Sequence, residues 1–159
     1  MSMKLLLLLA PAIVLLATSP GFAQTFTNPA RYCKAVGTID KPDSRYIGPK
    51  LPDWMAADLN LKPDQGSLME WRCANGVVLA CVYGANIPCG SKANISQKPT
   101  TAMSDYCQQN PGSTFIPMVV TGHETANTWA CRDKVPIVTK SAEVDTQGFQ
   151  KSYWKAVSP

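Results

Sequence analysis

The segment Glu70–Cys81, "EWRCANGVVLAC", sets two short apolar runs on either side of Asn75-Gly76. Asn-Gly tolerates the positive φ that both central residues of a two-residue type I′ turn require, and it is the strongest short-range hairpin signal. Strands are therefore predicted at 67–74 and 77–83. With Ala74 opposite Val77, Cys73 faces Val78 and Trp71 faces Ala80, while Cys81 points to the other face of the sheet. Cys73 and Cys81 cannot bridge each other in that register. The same opening returns downstream as "TWACRDKVPIV", beginning at Thr128. Each Trp-x-Cys is preceded by a Tyr-Cys at the end of a predicted helix, "NPARYCKAVG" in the first case and "KPTTAMSDYCQQNPG" in the second. The chain reads as two related halves.

The six cysteines, at 33, 73, 81, 89, 107 and 131, form an even set without a C-x-x-C pair, and the single histidine has no zinc-site spacing to any of them. In an oxidising compartment such a set predicts a disulfide framework. If each half staples its helix end to its Trp-x-Cys strand, the bridges are Cys33–Cys73 and Cys107–Cys131. That leaves Cys81 for Cys89, across a loop that Gly84 and Pro88 can turn back. Trp and Cys two apart share one strand face, so each indole is expected to cover its bridge as a stabilising device.

The compartment follows from the first residues, "MSMKLLLLLAPAIVLLATSPGFAQ": one Lys, an apolar run from Leu5 to Ala17, then a Ser-Pro-Gly break. This is the pattern of a secretory signal peptide over 1–23, with Ala23-Gln24 as the expected cut. The apolar run is shorter than the roughly 20 residues a membrane span needs, and no second run of that kind follows. Residues 24–159 are expected to form one disulfide-stabilised domain. The net charge of +4 is modest and its lysines are scattered, which gives no indication of a nucleic-acid surface.

Asn28 as cap, Pro29 at the first helical position and Gly37 as stop delimit the first helix. "LPDWMAADLNL" predicts a second brief helix and "PTTAMSDYCQQ" a third. The remainder reads as a meander of four strands, "TFIPMVVTG", "NTWACR", "VPIVTKSAEV" and "GFQKSYWKAV", with Pro117 and Pro136 marking edge or irregular strands. The predicted class is α+β, a small antiparallel sheet with two or three short helices, stapled by disulfides.

Candidate chemistry is sparse. His123-Glu124 opens a zinc-protease motif, but Asn127 stands where the second histidine belongs. Asp58, Asn60, Asp64 and Glu70 resemble a calcium loop, yet Pro63 occupies the sixth position that needs glycine, and Gly66 comes too late. No catalytic residue, cofactor or metal ligand is assigned.

Taken together, "YCKAVGTIDKPDSRYIGP", "WRCANGVVLACVYGANIPCGSKAN", "DYCQQNPGSTFIPMVVTGH" and "WACRDKVPIV" resemble a family of small exported bacterial proteins with six cysteines. The resemblance implies export and shared Cys positions, and no activity. "CGSKANIS" also gives a likeness to periplasmic inhibitors of C-type lysozymes, which insert a loop into the enzyme's cleft; the helices and the positive charge differ from that pattern. The expectation is a periplasmic or secreted protein that binds an unidentified protein or envelope ligand without catalysis. An enzyme inhibitor or a small hydrolase is the alternative. The expected contact surface is the tethered loop, with Tyr83, Asn86, Ser91, Lys92 and Asn94, because a pre-organised loop loses less entropy on binding.

Overall fold

The computed structural model describes residues 24–159; the predicted signal peptide lies outside them. Its architecture is α+β. The first helix, α1 (Pro29–Val36), begins where Asn28 accepts a hydrogen bond from the Arg31 N–H and ends at Gly37, whose positive φ no β-carbon obstructs. After a loop, α2 (Asp53–Leu59) starts behind Pro52. A 3₁₀ turn at Pro63–Leu68 then leads into the hairpin of β1 (Met69–Ala74) and β2 (Val77–Val82).

The register is the one the turn chemistry demands: Ala74 faces Val77, Cys73 faces Val78, Trp71 faces Ala80 and Glu70 faces Cys81. Asn75 and Gly76 both have positive φ. Tyr32, Cys33, Leu51, Met55, Met69, Trp71, Cys73, Val78 and Ala80 form the buried core under this hairpin.

The second half repeats the plan on a smaller scale. Helix α3 (Thr101–Gln109) is capped by Thr100, which accepts from the Met103 N–H. The four-residue α4 (Met118–Thr121) starts behind Pro117 as α2 starts behind Pro52, and the residues before these prolines, Ile116 and Leu51, are both buried. Strands β3 (Asn127–Arg132) and β4 (Val135–Ser141) turn on Asp133-Lys134, again both at positive φ. Met103, Cys107, Ile116, Trp129 and Cys131 make a second buried cluster.

All three disulfides pair as the two-half reading predicts: Cys33–Cys73, Cys81–Cys89 and Cys107–Cys131. Each half also seals the free edge of its Trp-x-Cys strand with the segment that follows its helix. Ile39 and Cys73 exchange N–H···O=C bonds of 3.1 and 3.0 Å, and Ser113 accepts from the Cys131 N–H at 2.7 Å. Each turn rests on the end of its own helix, through the Gly76 N–H to the Gly37 carbonyl and the Gln108 amide to the Lys134 carbonyl.

The four-strand meander is not formed. "TFIPMVVTG" contains α4 rather than a strand, because Pro117 supplies a helix start and Gly122, at φ 89°, a stop. "GFQKSYWKAV" makes a 3₁₀ turn at Lys151–Tyr153 and then β5 (Lys155–Val157), which crosses back to the first half and pairs antiparallel with β2, Val78 opposite Val157. There are thus two sheets, β1-β2-β5 and β3-β4. No helix among the described residues is long and apolar enough to cross a membrane.

Candidate binding surface

One face of the first sheet, with Trp71, Cys73, Val78 and Ala80, packs on the core with α1. The other face carries Glu70, Arg72, Leu79 and Cys81. No α-helix among the described residues covers that second face. Two irregular segments do, the 84–98 strap and the 143–154 segment.

The strap leaves β2 through Tyr83, turns between Gly84 and Ile87, and is fixed by Cys89, which is fully buried against Cys81. Beyond the disulfide it is tied on both sides. The Ala93 N–H donates to the Gly148 carbonyl at 2.8 Å, the Asn94 N–H to the Glu124 carbonyl at 2.7 Å, and the Ala126 N–H to the Asn94 carbonyl at 2.9 Å. The strap therefore bridges the C-terminal segment and the second half.

The five predicted contact residues divide accordingly. Lys92 is salt-bridged to Asp40 at 2.8 Å. Asn94 is exposed and its side chain accepts from the Ser96 N–H two residues on, and Ser91 is half-buried. Tyr83 and Asn86 face solvent, Tyr83 being 40% exposed. The Tyr83 hydroxyl lies 3.5 Å from Glu70 Oε1, which Lys50 also meets at 3.2 Å. Partial burial, and then the neighbouring Glu70 carboxylate, raise the Tyr83 phenol above its ordinary pKa. Ile95, at 66% exposure, adds an apolar contact that the sequence reading did not single out.

Sequence reasoning also missed the residue beneath these segments. Arg72 is fully buried on the outer sheet face. Its guanidinium pairs with Asp145 and Gln147 and lies over the edge-to-face pair of Phe149 and Trp154, 4.5 Å from each ring centroid. Gln147 passes the connection on to Asp40 at 2.9 Å, and Asp40 holds Lys92. The clamp therefore joins β1, the 37–50 loop, the strap and the C-terminal segment.

Its carboxylates are tuned to stay charged. Burial pushes Asp145 up, but the Phe149 N–H, the Arg72 guanidinium and the Gln147 N–H outweigh it and hold the carboxyl below its ordinary value. Asp40 is lowered chiefly by its hydrogen bond from Lys92. The only hint in the sequence was a charged residue inside the apolar "WRC" strand, and its partners lie more than seventy positions away.

His123 and Glu124 are both exposed, after α4, and the Glu124 backbone rather than its carboxylate holds the strap. Of the carboxylates that suggested a calcium loop, Asp58 binds the Lys155 ammonium at 2.8 Å and Glu70 binds Lys50. Among the described residues, no three His, Cys, Asp or Glu side chains converge as metal ligands would.

A larger concavity, about 620 Å³, opens beside the strap where the ends of β3 and β4 meet the 150–153 turn. Comparison with protein families, with characterised proteins and with solved structures finds nothing that matches this chain.

Proposed function

We propose that the protein is exported to an oxidising compartment, the periplasm or the medium, and acts there by binding another molecule without catalysis. Three disulfides in a chain of this size are consistent with such a compartment. The observation that carries the binding reading is the strap: it presents Tyr83 and Ile95 to solvent on a backbone fixed by a disulfide and by hydrogen bonds to two other segments. A surface already ordered before contact loses little conformational entropy on association, and a half-exposed Tyr offers apolar area with a polar tip.

Asn86 is exposed beside Tyr83 and suits a photo-crosslinking residue; Asp105, exposed on α3, provides the control position. Envelope extract should give a discrete adduct at 86, competed away by excess unmodified protein and absent at 105. Equal labelling at both positions would remove the strap as the contact surface.

A further inference from the structure

The 620 Å³ concavity lies within the range of about 300–1,000 Å³ common for small-molecule sites. Its floor is rigid. Asn127, only 6% exposed, donates to the Ser96 carbonyl at 2.9 Å and accepts from the Ser141 hydroxyl at 2.7 Å. The Ala142 N–H closes on the Ala126 carbonyl at 2.7 Å.

The rim is rich in donors. Lys140, Thr128 and Tyr153 line it, and their ammonium and hydroxyl groups have no hydrogen-bond partner among the described residues. Lys151 is neutralised by Glu143 at 3.1 Å, which leaves one uncompensated positive charge, that of Lys140. Met118, Ala126 and Ala142 add apolar lining.

An occupant must therefore be rich in acceptors, carry about one negative charge and offer C–H surface between its polar groups. A purely apolar ligand would strand the donors, and a polyphosphate carries more charge than Lys140 can match. We propose that this cleft is a binding site for a short acidic oligosaccharide, one carboxylate meeting Lys140 and sugar hydroxyls meeting Thr128 and Tyr153. The site is separate from the strap's exposed residues and stands or falls without them.

Amide spectra of the disulfide-bonded protein titrated with sialyllactose, a trisaccharide with a single carboxylate, with maltotriose or with inorganic phosphate test this. Sialyllactose should give saturable shifts confined to 125–128, 140–143 and 150–153. Lys140→Ala should weaken it about tenfold, the order expected for one lost charge-assisted hydrogen bond, and Thr128→Val less. Maltotriose should bind more weakly than sialyllactose, and Tyr83→Ala should change nothing. Spectra that stay dispersed outside the cleft show that the variants are folded. The proposal is overturned if sialyllactose fails to saturate by about 10 mM, if maltotriose binds as tightly, if phosphate displaces it at equal concentration, if Lys140→Ala binds like the parent, or if Tyr83→Ala removes the response.

Discussion

The two hairpins match in turn geometry, in Trp-x-Cys placement and in the helix each is stapled to, but one sheet has three strands and the other two. A single position accounts for the difference. A two-residue turn makes the flanking pair hydrogen-bonded, so the next residue of the second strand aims its backbone away from its partner. In β2 that residue is Val78, and its outward edge receives β5 at Val157. In β4 it is Pro136, opposite Cys131, which has no N–H to offer. The first half is thus open to a third strand, and the second is closed to one by its own sequence. The core follows the same division. Trp71 meets Tyr32 and Tyr46 edge-on at 5.9 and 4.9 Å, while Trp129 sits among Met103, Ile116 and the Cys107–Cys131 bridge.

The largest effect that separates the halves should come from the tryptophans. Both are buried, and truncating a buried Trp costs about 3–5 kcal/mol. Aromatic pairs add about 0.5–1.5 kcal/mol each beyond the buried area, so chemical denaturation should place Trp71→Ala at the top of that range and Trp129→Ala near the bottom. Equal losses would mean that the aromatic cluster of the first half adds nothing. Variants that melt like the parent would mean that the indoles do not shield the bridges.

The edge residues give the next test. Val78→Pro removes a ladder donor and strands a β5 carbonyl, a cost of about 1–3 kcal/mol, and hydrogen exchange should show Lys155–Val157 released. Pro136→Val restores an outward N–H in β4 with no strand to meet it and should change stability by less than about 0.5 kcal/mol. Retention of β5 in Val78→Pro would break the comparison.

These features differ in how far they could be read from the sequence. The cap at Asn28, the Asn75-Gly76 turn and all three bridges rest on local chemistry, and the residues that decide them are neighbours or fall into an internal repeat. The short helix at Met118–Thr121 was hidden by its β-branched residues, although Ile116-Pro117 repeats the Leu51-Pro52 that opens α2. The crossing of β5 and the Arg72 clamp left no local trace, because strand order and a buried ion pair depend on contacts between distant segments. The tethered strap was legible from Cys81 and Cys89, whereas the backbone bonds that tie its far end to the second half were not.

The clamp, which has no counterpart in the second half, should make the first half the pH-sensitive one. Asp145→Asn leaves the Arg72 charge buried and poorly paired, and should cost about 2 kcal/mol at neutral pH. Asp145 and Asp40 both titrate below their ordinary range, so their stabilisation is full above the unfolded value near about pH 4 and is lost as pH falls through the folded values. The parent should lose stability in that acid window, and the gap to Asp145→Asn should narrow there. A constant gap down to low pH would remove Asp145 as the responsible group.

The smallest effect lies in the turns. Lys134 holds a φ of 67° where the first hairpin has Gly76. Left-handed backbone costs a non-glycine residue about 1–2 kcal/mol, part of which the greater chain entropy of glycine cancels. Lys134→Gly should raise the melting temperature slightly and Gly76→Lys should lower it. The same sign for both would mean that the two turns are not equivalent.

The central claim is that one helix-to-hairpin staple is used twice and that the third bridge serves only the strap. Mapping of peptides from the unreduced protein tests it most directly. The fragments should link Cys33 to Cys73, Cys107 to Cys131 and Cys81 to Cys89, with all six thiols appearing only after reduction. A Cys73–Cys81 link, or any bridge joining one half's helix to the other half's hairpin, would contradict it.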